Sequence, residues 1–231
     1  GFPRVIALVN GLKEAGVKWV TPVNAAFGIP PPDIHNDGRA LWPAVNANTF
    51  GAILGPWDRW LMFRDVAAIS IFSPGMDMFA VGGLLTPEHV VQSMMYGAKT
   101  AGFSSAVLWK GRSIITRTVE FLKEYMEKHG YSTLEDFRGL ALKHIVPVEK
   151  IDWQLGKIVS TTREVLCNSC GICADNICMA RYMEDGVAKV REDDCCGCGL
   201  CVAVCPTNAC TLIDYDTKKE IYARSLTHVT F

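Results

Sequence analysis

The chain has 231 residues, 20% of them charged and 49% hydrophobic, with a formal net charge of −1. A balance so close to neutral offers no electrostatic hold on nucleic acid or an anionic membrane surface. No run reaches about 18 uninterrupted apolar residues, the length of a spanning helix: residues 57–72 come nearest and are broken by Asp58, Arg59, Arg64 and Asp65. No secretory signal is visible, and the first residue is Gly1, which points to processing or to a longer product. The length leaves room for one ordinary domain and a small one.

Residues 3–15 carry apolar side chains at helical spacing and stop at Gly16, and residues 17–24 form a short strand-like run. A long loop rich in Pro, Gly and Asn fills residues 25–49, and residues 56–73 read as a helix. An apolar strand over 77–81 ends in Gly82 and Gly83. Thr86 and Pro87 open a helix that ends near Gly97, with Thr as cap and Pro in the first turn. Residues 99–104 are again strand-like. An amphipathic helix over 112–129 is stopped by Gly130, and Ser132 with Glu135 reads as a capping box opening one more. Strands alternating with helices predict a parallel sheet covered by helices, with too few strands to close an eight-stranded barrel. Residues 144–166 connect to the next module without a clear period.

All ten cysteines lie between Cys167 and Cys210. A disulfide framework would staple a whole small secreted chain, so clustering in one segment reads as metal or cluster ligation. Cys195, Cys198, Cys201 and Cys205, followed by Pro206, have the bacterial ferredoxin spacing, in which three close thiolates hold one [4Fe–4S] cubane and the fourth reaches the other. Cys167, Cys170, Cys173 and Cys178 repeat it with one extra residue before the fourth Cys and Met179 in place of Pro. Crossed ligation assigns Cys167, Cys170, Cys173 and Cys205 to one cluster, and Cys195, Cys198, Cys201 and Cys178 to the other. The competing reading is a pair of four-thiolate zinc sites, whose spacing lacks the third close Cys and the trailing Cys-Pro. Cys196 and Cys210 fall outside the ligand spacing, and Cys196 is expected to be a small buried side chain. Residues 186–190 and 211–213 are the expected strands of the two halves.

Several segments before the cysteines resemble the flavin domain of the dihydroorotate dehydrogenase family. The nearest branch is dihydropyrimidine dehydrogenase, where a flavin barrel precedes a two-cluster ferredoxin module. Residues 37–43 (DGRALWP) are similar to the loop after the sixth barrel strand, and residues 50–56 (FGAILGP) to the family's Gly-Gly-x-Ser-Gly-Pro turn. Residues 79–83 (FAVGG), followed by Thr86, Pro87 and Glu88, are similar to the phosphate loop after strand seven. Residues 97–98 and 103–106 are similar to the next helix end and the eighth strand. The resemblance implies an α/β fold: the C-terminal portion of a TIM-type (β/α)8 flavin barrel over residues 1–130, a helical connector over 131–163, and a small α+β two-[4Fe–4S] ferredoxin domain over 164–231.

It also implies FMN held by Gly51, Gly55, Gly82, Gly83, Ser104 and Ser105, with Ala52 and Leu54 departing from the family's turn. Bare glycine backbone after a strand and before a helix suits a phosphate. Asn24 matches a residue that faces the substrate in the family, whereas the Thr that follows it there is Ala25 here. Asp33, His35 and Asp37 lie in the loop above the same end and are candidates for acid–base chemistry. The first five barrel strands have no counterpart in the resemblance, so a separate chain is expected to supply that half; a fragment of a longer product is the alternative. The expected function is a cytoplasmic iron–sulfur oxidoreductase subunit passing electrons between the clusters and FMN. A flavin-free electron-transfer subunit, with the half barrel as a docking scaffold, is the competing expectation.

Overall fold

A computed structural model of the chain describes residues 2–23, 25–41, 48–151, 157–175 and 178–222. The chain divides into two compact units, residues 1–146 and 147–231. The architecture is mixed α/β.

In the first unit, α1 (Phe2–Glu14) leads through Gly16 to β1 (Trp19–Val20). The expected long loop contains β2 (Ala26–Gly28), which pairs antiparallel with β3 (Gly51–Ile53). The Pro and Gly content hid this pair. Gly28 sits in its strand because a Cβ there would collide with the Ile53 side chain. Next come α2 (Asp58–Phe72), β4 (Asp77–Ala80), α3 (Pro87–Met95), β5 (Thr100–Ala101), α4 (Ser105–Lys110) and α5 (Ser113–His129).

The alternation expected from the pattern produces a parallel three-stranded sheet in the order β1–β4–β5, with Trp19 opposite Asp77 and Phe79 opposite Thr100. Met62, Val66 and Ile69 of α2 pack with Met78 and Ala80 of β4, with Val90, Val91 and Met94 of α3, and with Phe137. These side chains form the unit's apolar core. α5 buries only Ile114 and Thr118 fully, and it ends where Gly130 takes a left-handed conformation.

Three local expectations need correction. The segment 103–106 is not a strand: the chain leaves the sheet at Ala101, and Ser104 already precedes α4. Gly102 turns it there, its N–H donating to Ala80 O at 2.9 Å while its bare Cα lies against the Phe79 ring. The capping box is built by Thr133 and Asp136, one residue on from the expected pair, and it opens only a 3-10 turn over Leu134–Asp136. Thr86 precedes α3 without a side-chain cap bond.

The second unit begins inside the segment expected to be a connector. β6 (Ile158–Thr162) is followed by β7 (Arg181–Glu184), β8 (Val187–Val190), α6 (Leu200–Val204), β9 (Cys210–Asp214) and β10 (Glu220–Tyr222). One antiparallel sheet has the order β10–β9–β6, and β7 pairs with β8 in a second. β6 was missed because Ser160, Thr161 and Thr162 break its apolar pattern. Ser160 is nonetheless buried, and its hydroxyl donates to Thr211 O at 3.2 Å.

Two halves repeat here. β6, a 3-10 turn over Glu164–Leu166 and the triad Cys167, Cys170, Cys173 lead to β7; β8, a 3-10 turn over Glu192–Asp194 and the triad Cys195, Cys198, Cys201 lead to β9. The expected strands at 186–190 and 211–213 are β8 and part of β9. Among the described residues no helix is long and apolar enough to cross a membrane.

Candidate cluster centre and strand-end site

A chain that presents three thiols from one tight loop must reverse twice within it, and each loop does so through left-handed residues. In the second these are Gly197 (φ 66°) and Gly199 (φ 74°); in the first, Ser169 (φ 61°) and Gly171 (φ 74°). Gly197 has a second constraint, since a Cβ there would stand 2.6 Å from Ile158 O. Ser169 carries a side chain in the same conformation and bonds Gly186 O through its hydroxyl.

Cys178, Cys195, Cys198 and Cys201 line one small cavity of about 40 Å³, together with Ser160 and Arg181. Those four are the set that crossed ligation assigns to one cluster. Of the other set, Cys173 and Cys205 are buried in the unit's core beside Cys201 and Cys210, and Cys167 packs against them. Cys170 is exposed. Cys198 and Cys196 are exposed too, the latter contrary to the expected buried side chain.

The surroundings suit sulfur that carries negative charge. Ser160 donates its N–H to Cys195 Sγ at 3.3 Å, and Ala209 donates its N–H to Cys205 Sγ at 3.2 Å. Hydrogen bonding from Cys210, helped by Ser160 and Arg181, outweighs burial and brings Cys201 down to about 5. Burial pushes Cys205 up, but donors from residues 207–210 overcome it and bring that thiol to about 7. Burial holds Cys173 above the usual thiol range.

Arg181 Nε and Thr211 Oγ1 are buried with no hydrogen-bond partner in the protein, so the unit holds donors that cluster sulfides would satisfy. Among the described residues no three Cys, His, Asp or Glu side chains are grouped as a single metal ion would need. Thiolates on a cubane bind separate irons at its corners, so they stand further apart than four thiolates on one zinc. The residues fit cubanes. Sequence reasoning missed Arg181, whose only signal is a charge where a cluster strand begins.

In the first unit, β4 and β5 are parallel neighbours, so Gly82 and Gly83 after one and Ser104 and Ser105 after the other emerge from the same sheet end. Gly82 has φ 124° and Gly83 φ 69°. A Cβ on Gly83 would overlap the backbone of Arg59, and one on Gly82 would lie 3.1 Å from Asp58 Oδ2. The glycines are therefore required by the first turn of α2. Gly51 is part of β3, and Gly55 (φ 143°) lies between Trp57 and Trp109. Asn24 lies outside the described residues. In the loop above, Asp33 Oδ1 accepts the His35 N–H at 3.0 Å, so that carboxylate already serves the turn.

The charges at this strand end are mixed. Asp58 is 1% exposed, its Oδ1 has no hydrogen-bond partner, and burial raises its carboxyl above the usual range. Arg59 Nη1 lies 3.4 Å from Gly83 O and 3.1 Å from His89 Nδ1, which also accepts the Leu85 N–H at 3.1 Å. Burial and the neighbouring guanidinium hold His89 down to about 4, so near neutral pH it is an uncharged acceptor. A phosphate at this end would meet backbone amides, the Ser104 and Ser105 hydroxyls and the Arg59 charge, with Asp58 opposing unless it is protonated. The donor set fits a phosphate; Asp58 does not assist it.

Comparison with known proteins bears on both units. A family model described as a 4Fe-4S binding domain matches residues 188–211. The chain is 29% identical over 131 residues to the catalytic subunit of dihydroorotate dehydrogenase B (NAD(+)) from Pyrococcus abyssi, covering 57% of this chain and 42% of the relative. It is 30% identical over 139 residues to dihydroorotate dehydrogenase (fumarate) from Lachancea kluyveri, covering 60% and 42%. It is 27% identical over 147 residues to the NAD-dependent dihydropyrimidine dehydrogenase subunit PreA of Escherichia coli, covering 60% and 35%. The chain thus spans less than half the length of these relatives. Over about half of its own length its homologues are dihydroorotate and dihydropyrimidine dehydrogenases, and its C-terminal part carries a 4Fe–4S binding domain.

Two outcomes follow from the geometry. If the chain holds the two cubanes expected from its spacing, Cys198→Ser lowers the iron and acid-labile sulfide of the purified protein by about half, whereas Cys196→Ser leaves both unchanged. Equal losses would remove the assigned ligand set. His89 gives a pH dependence: the unfolded chain takes up its proton near 6.5, the folded chain only near 4. Stability contributed by neutral His89 is complete above 6.5 and falls as the pH drops through that window. Denaturant midpoints measured across it should show this slope in the native protein and a shallower one in His89→Gln.

Proposed function

We propose that this chain is an iron–sulfur oxidoreductase subunit that passes single electrons between two [4Fe–4S] clusters and an FMN seated at the strand ends of the first unit. The observation that carries the reading is the repeated thiol triad of the second unit. One set of four cysteines shares a cavity, and the main-chain N–H groups of Ser160 and Ala209 donate to ligand sulfurs. The family match over residues 188–211 supports cluster binding for the second triad, and the dehydrogenase homologues support the flavin.

FMN, when bound, exchanges electrons in pairs with a substrate and singly with the clusters. This chain's own part is narrower. The Gly82–Gly83 backbone, Ser104, Ser105 and Arg59 hold the phosphate end, and Gly51 and Gly55 flank the same mouth. The eight cluster cysteines bind as thiolates, Cys173, Cys201 and Cys205 from the buried interior and Cys170 and Cys198 from the surface.

A further half, from a separate chain or from a longer product to which this chain belongs, completes the barrel. The sheet supports that reading: among the described residues β1 and β5 each pair on one side only, and Trp19 on the open β1 edge is 62% exposed. An apolar open edge is a pairing surface unless another chain covers it. The thiol chemistry suits a reducing compartment, the cytoplasm.

The second reading is a flavin-free electron-transfer subunit. Asp58 favours it, a buried carboxyl beside the glycine loop, as does the packing reason for Gly83. Denaturing the intact purified assembly and identifying released flavin by chromatography separates the two. FMN in proportion to this chain is expected; no flavin in protein with full iron content would leave the electron-transfer reading alone.

A further inference from the structure

The two halves of the cluster unit follow the same plan, and one buried difference between them is a charge. Thr162 faces Cys210 across the β6–β9 pair, as Val190 faces Arg181 across β7–β8. The Arg163 N–H donates to Ala209 O, and the Arg191 N–H donates to Ala180 O, each at 2.8 Å. Arg181 and Cys210 are therefore equivalent residues, each the first of its strand, 4% and 1% exposed. One is a cation and the other is a thiol.

The cation contacts one cluster's ligands directly, while its charge also reaches Cys173 of the other set. Arg181 lines the cavity of Cys178, Cys195, Cys198 and Cys201, and its Nη2 reaches Cys201 Sγ at 3.6 Å, Thr161 O at 3.0 Å and the Ser160 hydroxyl. Its Nη1 donates to Thr162 Oγ1 at 2.6 Å. Among the described residues no carboxylate forms an ion pair with it. A buried guanidinium without a carboxylate must take its countercharge from the sulfur around it. Adding one electron to a cluster adds one negative charge, and a fixed cation at short range in a poorly polarisable interior favours that state.

We propose that Arg181 sets the order of the two potentials: it makes the cluster held by Cys178, Cys195, Cys198 and Cys201 the more easily reduced, so a single electron entering the pair rests there. The Cys167, Cys170, Cys173 and Cys205 cluster, whose equivalent position holds Cys210, is the lower-potential relay. The inference rests on the two-cluster reading and is independent of whether flavin is bound.

The test is an EPR-monitored redox titration of the intact protein as isolated with its co-purifying chains. Two one-electron steps are expected, differing at least tenfold in reduction equilibrium, about 59 mV. Arg181→Gln lowers the upper step by tenfold or more and moves the lower by less than threefold, while Arg181→Lys keeps most of the separation. An upper step that stays in place in Arg181→Gln, or two steps that move together, overturns the proposal. A second readout needs no variant. Protein carrying guanidinium-15N arginine, reduced by one electron, should show a 15N coupling in its pulsed-EPR signal, and no coupling overturns the assignment. Iron for one cluster instead of two would defeat the two-cluster reading itself, and with it this order, whereas absent flavin would defeat only the flavin reading.

Discussion

Cys173, Cys201, Cys205 and Cys210 are buried side by side in the core of the second unit. Thiols gathered this closely resist ionising together, because each thiolate raises the energy of the next and burial removes the water that would screen them. The unit answers with donors and one cation: the Ser160 and Ala209 amides, the Ser160 hydroxyl and the Arg181 guanidinium. Metal completes the compensation, since coordinating thiols are deprotonated outright. The strands, the left-handed loop residues and the short helix α6 all present these sulfurs at fixed places.

The first unit solves a different problem. Its short parallel strands end together, and the glycine loop after β4 closes against the first turn of α2. That contact fixes Gly83 by packing alone, yet it also brings a buried carboxyl and a buried guanidinium beside a loop that homologous dehydrogenases lead one to read as a phosphate site. Asp58 is the residue on which the two functional readings differ. With its carboxyl protonated, the Arg59 charge is left to favour an anion; ionised, Asp58 opposes one.

The cysteine spacing was legible because cluster ligation permits few arrangements, and a thiol in a wrong turn is lost as a ligand. The βα alternation was legible for a related reason, since buried parallel strands are apolar and their helices amphipathic. What escaped was held by particular contacts. β6 is a polar strand whose serine and threonines serve Arg181, Thr211 and Ala188. The β2–β3 pair lies in a segment whose prolines and glycines read as loop. Ser104 and Ser105 were placed in a strand that ends earlier because Gly102 turns against Phe79. Arg181 gave no pattern at all; only the register of β7 against β8 shows that it stands where the other half has Cys210.

The electron path proposed here needs two cubanes held in one small unit by crossed ligands. Spin integration of the EPR signal of the fully reduced protein tests this directly. Two half-integer spins per chain, with line splitting from their mutual interaction, are what the account predicts. One uncoupled spin, or zinc in place of iron, would contradict it.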